Sequence, residues 1–283
     1  PVVLGHEYAG VVEEGEGKDL IGRHVAVDPN ISCGTCYYCR RALVHLCSGL
    51  RAHGVDIDGG MAEYCIVNEK QLYIIPDDMP DEVSAFIEPV SCAVHGIDLA
   101  EIQLGETVII IGGGTVGLIM MQLAKNAGAA RTIVIEPLEH KRLIAQKLGA
   151  DVILNPSEVD LRSAIGDLTS VGADVVIECV GKPETVQSAL ELARRGGTVE
   201  IFGVCPIGVT IPLEVNNVYF KELRIIGSHV NPHTFDRSIV LLRSGRVRVD
   251  SFLINKFPLD GVHEALRYQR EGLTIKSIIT PNI

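Results

Sequence analysis

The sequence predicts an α/β chain in which a doubly wound parallel sheet interrupts a smaller β domain, and three observations carry this expectation. From about residue 105 to 230, short Val/Ile runs alternate with helical stretches, the pattern of βαβ units. A glycine run, Gly112-Gly113-Gly114-Thr115-Val116-Gly117, stands between the first of those runs and the helix after it. Residues 1–97 instead show short β-prone runs broken by Gly, Asp and Pro. The length of 283 residues fits one large domain or two ordinary ones, at roughly 150 residues each.

In chain order, the first part is expected to hold strands at Tyr8–Val12, His24–Val27 and Tyr64–Val67, and to leave by a helix running from Pro89 to Ala100. Six strands follow, Thr107–Ile111, Thr132–Glu136, Asp151–Leu154, Asp174–Glu178, Thr198–Phe202 and Leu223–Gly227, each apolar enough to be buried on both faces. Helices are expected between them at Val116–Ala127, Glu139–Leu148, Val159–Leu168 and Glu184–Ala193, several closed by glycine. Right-handed crossovers then build two mononucleotide-binding halves. The tail, 231–283, reads as a helix at Phe235–Leu242, a strand-like run FLINKFPL, a helix at Val262–Arg270 and a strand at Lys276–Thr280, returning to the first domain. Domain limits of 1–97, 98–230 and 231–283 follow.

Composition narrows the function. Apolar residues make up 47% and charged residues 22%, the mix of a folded, soluble chain. A net charge of -11 repels phosphate backbones and anionic lipid, which argues against nucleic-acid and membrane partners. The run 107–124 approaches membrane length, but its three consecutive glycines split it into a strand, a turn and a buried helix. The chain begins at Pro1 with no secretory pattern; the expected location is cytoplasmic, and the chain reads as starting late.

The glycine turn is placed for a dinucleotide. Gly112 permits the tight turn, Gly114 the approach of a pyrophosphate to the backbone, and Gly117 close packing of helix on strand. Glu136, at the end of the second strand, can bond both ribose hydroxyls and would repel a 2′-phosphate, so NAD is expected; Lys141 and Arg142 nearby are the cations that a 2′-phosphate would use.

Four of the eight cysteines crowd into 33–47. Cys33, Cys36, Cys39 and Cys47 supply four soft ligands, enough to close a tetrahedral zinc site with no position left for chemistry. An iron–sulfur cluster of the bacterial type would need three residues, not seven, before the last cysteine, and a Pro after it. His45 is a bystander on this reading. A second metal position is suggested by Gly5-His6-Glu7 and Ile87-Glu88-Pro89, since imidazole and carboxylates suit a zinc that keeps one position open. Taken alone, each of these also fits a structural histidine or a helix-start acid.

Together, VLGHEYAGVVEEGEG, the four-cysteine lobe, DGGMAEYCIV, IEPVSCAVHG and GGGTVG make the chain resemble the zinc-containing medium-chain alcohol dehydrogenase superfamily. Glu in IEPVS is similar to the polyol branch, which includes sorbitol, arabitol and butanediol dehydrogenases. The resemblance implies a Rossmann NAD-binding domain inserted in a GroES-like β-barrel catalytic domain, one structural and one catalytic zinc, and a homodimer or homotetramer. It implies hydride transfer between NAD and a small-molecule secondary alcohol, a polyol or vicinal diol. It also implies that His6 is a catalytic zinc ligand, Glu7 a ligand or its neighbour, and Glu88 a ligand directly or through water. The family supplies a further cysteine ligand from upstream of GHE, a segment not present before Pro1. Oxidation of an amino alcohol, as in threonine 3-dehydrogenases, is the alternative on the same scaffold, and a non-catalytic nucleotide-binding protein the alternative if that ligand is absent.

Overall fold

The computed structural model describes every residue except 253, 282 and 283. Two compact units emerge. One comprises Pro1–Cys92, Val230–Gly245 and Phe252–Ile283, and the other Ala93–His229 with Arg246–Ser251.

The first unit opens with β1 (Ala9–Val11), β2 (His24–Val27), β3 (Asn30–Ile31), β4 (Arg51–Ala52) and β5 (Leu72–Ile74). The strand order β1-β2-β5 is antiparallel throughout, with Ala9 opposite Ala26 and Val25 opposite Ile74, while β3 and β4 form a separate short pair. Val25, Ala26 and Val27 are buried, as their apolar composition requires. The expected strand at Tyr64–Val67 does not form: residues 62–67 make no backbone–backbone hydrogen bond among the described residues. Tyr64 and Ile66 stand exposed there. β-propensity reports a side chain's fit to a sheet surface, and without a neighbouring strand it has nothing to act on.

Two helices end this stretch, α1 (Asp81–Ser84) and α2 (Ile87–Ala100), and α2 carries the chain into the second unit. It starts two residues before the expected Pro89, because Phe86 and Ile87 are fully buried and draw the first turn inward with Glu88 in it.

The second unit runs β6 (Thr107–Ile111), α3 (Thr115–Ala127), β7 (Arg131–Ile135), α4 (Glu139–Lys147), β8 (Val152–Leu154), α5 (Leu161–Thr169), β9 (Ala173–Glu178), α6 (Pro183–Leu192), β10 (Ala193–Ile201), α7 (Val215–Lys221) and β11 (Arg224–Gly227). Its six strands lie in the order β11-β10-β9-β6-β7-β8, all parallel. The order reverses between β6 and β9, the switch point outside whose carboxyl ends ligands bind in such sheets. The run 107–124 is accordingly β6, the glycine turn and the buried first part of α3.

One face of this sheet packs Ile109, Ile111, Ile133, Ile135, Val176 and Val199 against Ile165 of α5 and Leu190 of α6. Strand β10 starts five residues before the expected Thr198, and its register against β9 shifts between Ala193 and Thr198. Arg194 within the shift donates from Nε to Asp174 Oδ1 at 2.5 Å, anchoring the irregular stretch. Helix α7 was not expected, since Asn216, Asn217 and a short apolar stretch give no sustained helical period.

The tail folds as α8 (Phe235–Arg243), β12 (Ile254–Phe257), α9 (Val262–Arg270) and β13 (Lys276–Ile279). Strands β12 and β13 pair in parallel, Ile254 opposite Lys276. Phe235 stacks on Tyr73 at 4.8 Å and Phe252 meets Phe86 edge-on at 5.5 Å, which ties the tail to the first unit. Leu253 of the FLINKFPL run lies outside the described residues.

One strand residue breaks the apolar rule. Glu200 of β10 is fully buried, and neither carboxylate oxygen has a hydrogen-bond partner among the described residues. Gly96 of α2, Met120 of α3 and Phe202 enclose it so closely that a Cβ added at Gly96 would sit 2.5 Å from Oε1. The charged group that acts on it is Arg224 of β11, and Glu200 in turn helps push up the thiol of Cys179, one residue past β9. Burial pushes the Glu200 carboxyl up to about 8 against a weaker opposing pull from Arg224. A raised pKa places the stability of the neutral acid below the ordinary carboxylate range. That stability is lost as the pH rises towards 8, where the unfolded chain binds fewer protons than the native one. We therefore expect stability to urea to fall between pH 4.5 and 8 by as much as about 1.4 kcal/mol per pH unit. Glu200→Gln should flatten that slope, and an unchanged slope in the variant would assign it to other groups.

Candidate functional site

Residues 3–6 are held by glycines rather than by a strand ladder. Gly59 N–H donates to the Val3 carbonyl at 2.9 Å, Gly60 to Gly5 at 2.8 Å and Met61 to Leu4 at 2.8 Å, while Asp58 Oδ1 accepts from Val3 N–H at 2.8 Å. A Cβ at Gly54 would lie 2.4 Å from the Gly5 carbonyl oxygen, and one at Gly59 2.2 Å from it. Only glycine permits this approach. The DGG motif thereby sets the turn from which His6 and Glu7 project.

Helix α2 brings the third group. Its ligand atom and those of His6 and Glu7 all lie within 4.8 Å of one another, although 81 residues separate Glu7 from Glu88. Glu88 is buried, with the Cys92 thiol donating to Oε1 at 3.2 Å one turn along the helix. Burial pushes its carboxyl up to about 7, with Asp28 adding repulsion. Burial, then the Lys276 charge, lowers His6, keeping the imidazole neutral with a free lone pair. Two carboxylates and a neutral imidazole converging at that range are the donor set of a divalent cation, and the buried Glu88 carries no cation among the described residues. The residues fit a metal.

The sequence pattern gave no sign of two neighbours of this cluster. Lys276, the first residue of β13, pairs its ammonium with Glu7 Oε2. Asp28 forms a network with Asn30 and Asn231, the Asn30 side-chain amide donating to Asn231 Oδ1 at 2.5 Å. Val230 and His233 flank Asn231 in left-handed backbone, φ 46° and 57°, a conformation costly for a β-branched residue. Cys92 was legible in principle, standing four residues after Glu88 on one helix face.

The four cysteine sulfurs also lie within 4.8 Å of one another. Backbone N–H groups of Cys33 and Gly49 donate to Cys47 Sγ at 3.3 and 3.4 Å, and that of Cys36 to Cys33 Sγ at 3.4 Å. Donors from Thr35 pull the Cys33 thiol down to about 7, and amides led by that of Cys39 pull Cys36 down to about 6, favouring two of the thiolates that a metal needs, while burial and the shared bond with Cys36 push Cys39 up to about 11. The set fits a closed tetrahedral zinc.

In the second unit the glycine turn has the expected constraints. Gly112 is left-handed at φ 104°, and a Cβ at Gly117 would lie 1.8 Å from the Gly112 carbonyl. A Cβ at Gly114 would meet nothing within 4 Å, leaving the helix start open to an anion. Glu136 is buried, and its two oxygens accept from Gly113 N–H at 2.7 Å and Leu138 N–H at 2.8 Å. It therefore braces the turn as well as marking the strand end. Arg142, rather than Lys141, reaches the Glu136 and Pro137 carbonyls, at 3.1 and 2.5 Å.

Residues 115–244 match the zinc-binding dehydrogenase family and residues 1–77 the alcohol dehydrogenase GroES-like domain. L-threonine 3-dehydrogenase of Thermococcus kodakarensis is 37% identical over all of this chain and 82% of its own length. The chain belongs to the zinc-containing medium-chain alcohol dehydrogenase superfamily. Sorbitol dehydrogenase of Bacillus subtilis is 35% identical, again over all of this chain and 82% of its own length. A zinc-binding dehydrogenase of Sinorhizobium meliloti 1021, solved bound to NADP, superposes with a TM-score of 0.90 at 41% identity, covering 94% of this chain and 80% of its own. This dehydrogenase is thus a zinc- and NAD(P)-dependent oxidoreductase of alcohols with the α/β architecture expected from its sequence.

Proposed function

We propose that this dehydrogenase oxidises a neutral polyol or vicinal diol at a metal held by His6, Glu7 and Glu88, with NAD as the preferred acceptor. The convergence of those three donors within 4.8 Å carries the reading. When bound, zinc acidifies the substrate hydroxyl and the nicotinamide cofactor accepts the carbinol hydride. The chain's own part is to place and tune. Neutral His6 offers a lone pair, Glu88 an anionic oxygen from a rigid helix, and Gly112, Gly114 and Gly117 a backbone cradle for pyrophosphate. Cys33, Cys36, Cys39 and Cys47 hold a second, purely structural zinc.

The choice of a neutral substrate rests on charge. Asp28 acts on Glu88 and is itself bonded to Asn30 and Asn231, groups that suit hydroxyls, whereas Lys276 is already committed to Glu7. Glu136 supports NAD over NADP by occupying the ribose end of β7, with Arg142 the group that a 2′-phosphate would recruit. The threonine dehydrogenase relatives favour a second reading, oxidation of an amino alcohol. A homo-oligomer is supported by β11, an edge strand, and by exposed Val204, Ile207, Val215, Tyr219 and Phe220 in the stretch before it. A cytoplasmic setting suits eight free cysteines.

One preparation tests these points. Initial rates with sorbitol, xylitol, arabitol, butanediol and threonine, each with NAD and NADP, are expected to favour a polyol and NAD; faster turnover of threonine would replace the polyol reading. Light scattering on the same material should exceed the 30.5 kDa of one chain.

A further inference from the structure

Glu178 closes β9 in the middle of the parallel sheet, in register with Ile111 of β6 on one side and Ile201 of β10 on the other. It is fully buried. Its Oε1 accepts from Val180 N–H at 2.7 Å, Gly181 N–H at 2.9 Å and the Thr185 hydroxyl at 2.8 Å, so one carboxylate oxygen gathers the turn that leads from β9 into α6. The Glu178 carbonyl accepts from Phe202 and Gly203 N–H at 3.0 and 2.8 Å, and Cys179 N–H donates to the Ile111 carbonyl at 2.9 Å. Three strand ends are thereby joined around one residue. The joint is tight: a Cβ at Gly203 would lie 2.7 Å from Glu178 Oε2, and one at Gly112 2.8 Å from Val180 Cγ2. An apolar side chain at this strand end would leave two backbone N–H groups without their acceptor, a cost that fixes the turn to the carboxylate.

We propose that Glu178 is a positioning residue for the nicotinamide half of the cofactor, acting through the turn of Val180 and Gly181. This assignment rests on the NAD site proposed above. Glu136, just past β7, gives the adenosine half to that side of the glycine turn. A dinucleotide crosses the switch point between β6 and β9, which leaves the carboxyl end of β9 to the other half. Val180 is 40% exposed beside Gly112, so the turn that Glu178 holds is the surface offered there.

The test compares NADH with AMP, which carries the adenosine half alone, by calorimetry on the full chain. Glu178→Met matches the side chain in length and removes its oxygens. It is expected to weaken NADH by about tenfold or more, the scale of an unpaired buried N–H, and to leave AMP within about twofold. The emission shift of bound NADH should shrink with it, since that signal reports the surroundings of the nicotinamide. Glu178→Gln keeps an acceptor at Oε1 and should return NADH to within about threefold of the unaltered chain, because the same N–H groups stay paired. Equal losses for NADH and AMP, no loss of NADH, or a Glu178→Gln chain as weak as Glu178→Met would each overturn the proposal. If Glu178→Met misfolds, Glu178→Asp serves: it can keep the bond to Val180 N–H, as an Asx-turn does, but draws back from Gly181 and Thr185. A selective loss of NADH is expected there too, and an equal loss of both ligands, or none, would overturn the assignment. Failure of the unaltered chain to bind NADH would instead overturn the NAD reading itself.

Discussion

His6→Ala should leave this dehydrogenase with one zinc per chain in place of two and lower its alcohol-dependent reduction of NAD by at least about a thousandfold, some 4 kcal/mol of transition-state stabilisation. The size of the effect follows from the donor set. His6 is the one nitrogen donor in the proposed cluster, and the remaining pair, Glu7 and Glu88, includes a carboxylate already tied to Lys276. Misfolding is a weak rival explanation, because His6 is partly exposed and its turn is held by backbone bonds from Gly59, Gly60 and Met61. Metal content by mass spectrometry and steady-state rates, taken together, decide the matter. Two zincs and near-normal rates in the variant would remove His6 from the site.

The second large effect is expected at the cysteine lobe. Between Cys33 and Gly49 the only buried side chain is Cys47, while Tyr37, Tyr38, Leu43 and Leu46 face solvent. The segment contains short turns at Cys39–Arg41 and Val44–Leu46 and no strand. Hydrophobic burial cannot hold such a loop, so the metal must, and binding free energy of a structural zinc becomes folding free energy of the lobe. Cys39→Ser should therefore lose the lobe zinc and lower the thermal midpoint by about 10 °C, as expected for some 3–5 kcal/mol in a chain of this size. Trypsin supplies a local readout, since Arg40 and Arg41 sit inside the lobe. Rapid cleavage there in the variant, and in unaltered protein stripped with chelator, is the expected result. Resistance to cleavage in both would mean that something other than metal orders the lobe.

Much of the site was legible because its parts are local. The glycine turn is a six-residue device whose demands, a left-handed Gly112 and a Gly117 with no room for a side chain, act on neighbouring backbone. The cysteine lobe likewise closes on itself within 15 residues. Short-range spacing is the information that a single sequence carries best. The failures have the complementary cause. Tyr64–Val67 has strand composition and no partner to pair with, while α7 forms where the periodic signal is short. Glu200 looks like an ordinary polar residue near a strand end, and only the closure of Gly96 and Met120 over it makes it an orphaned buried acid.

From residue types and spacing alone come the alternation of strand and helix, the dinucleotide turn and a thiolate cage, since each depends on contacts a few residues apart. Tertiary structure decided the rest: that Glu88 reaches His6 from 82 residues away, that Gly54 and Gly59 hold the His6 turn, and that Lys276 comes from the last strand to claim Glu7. The physical reason is range. Hydrogen-bond geometry and backbone sterics act between neighbours in sequence, whereas metal coordination and ion pairing act between neighbours in space, and only the folded chain converts the one kind of neighbour into the other.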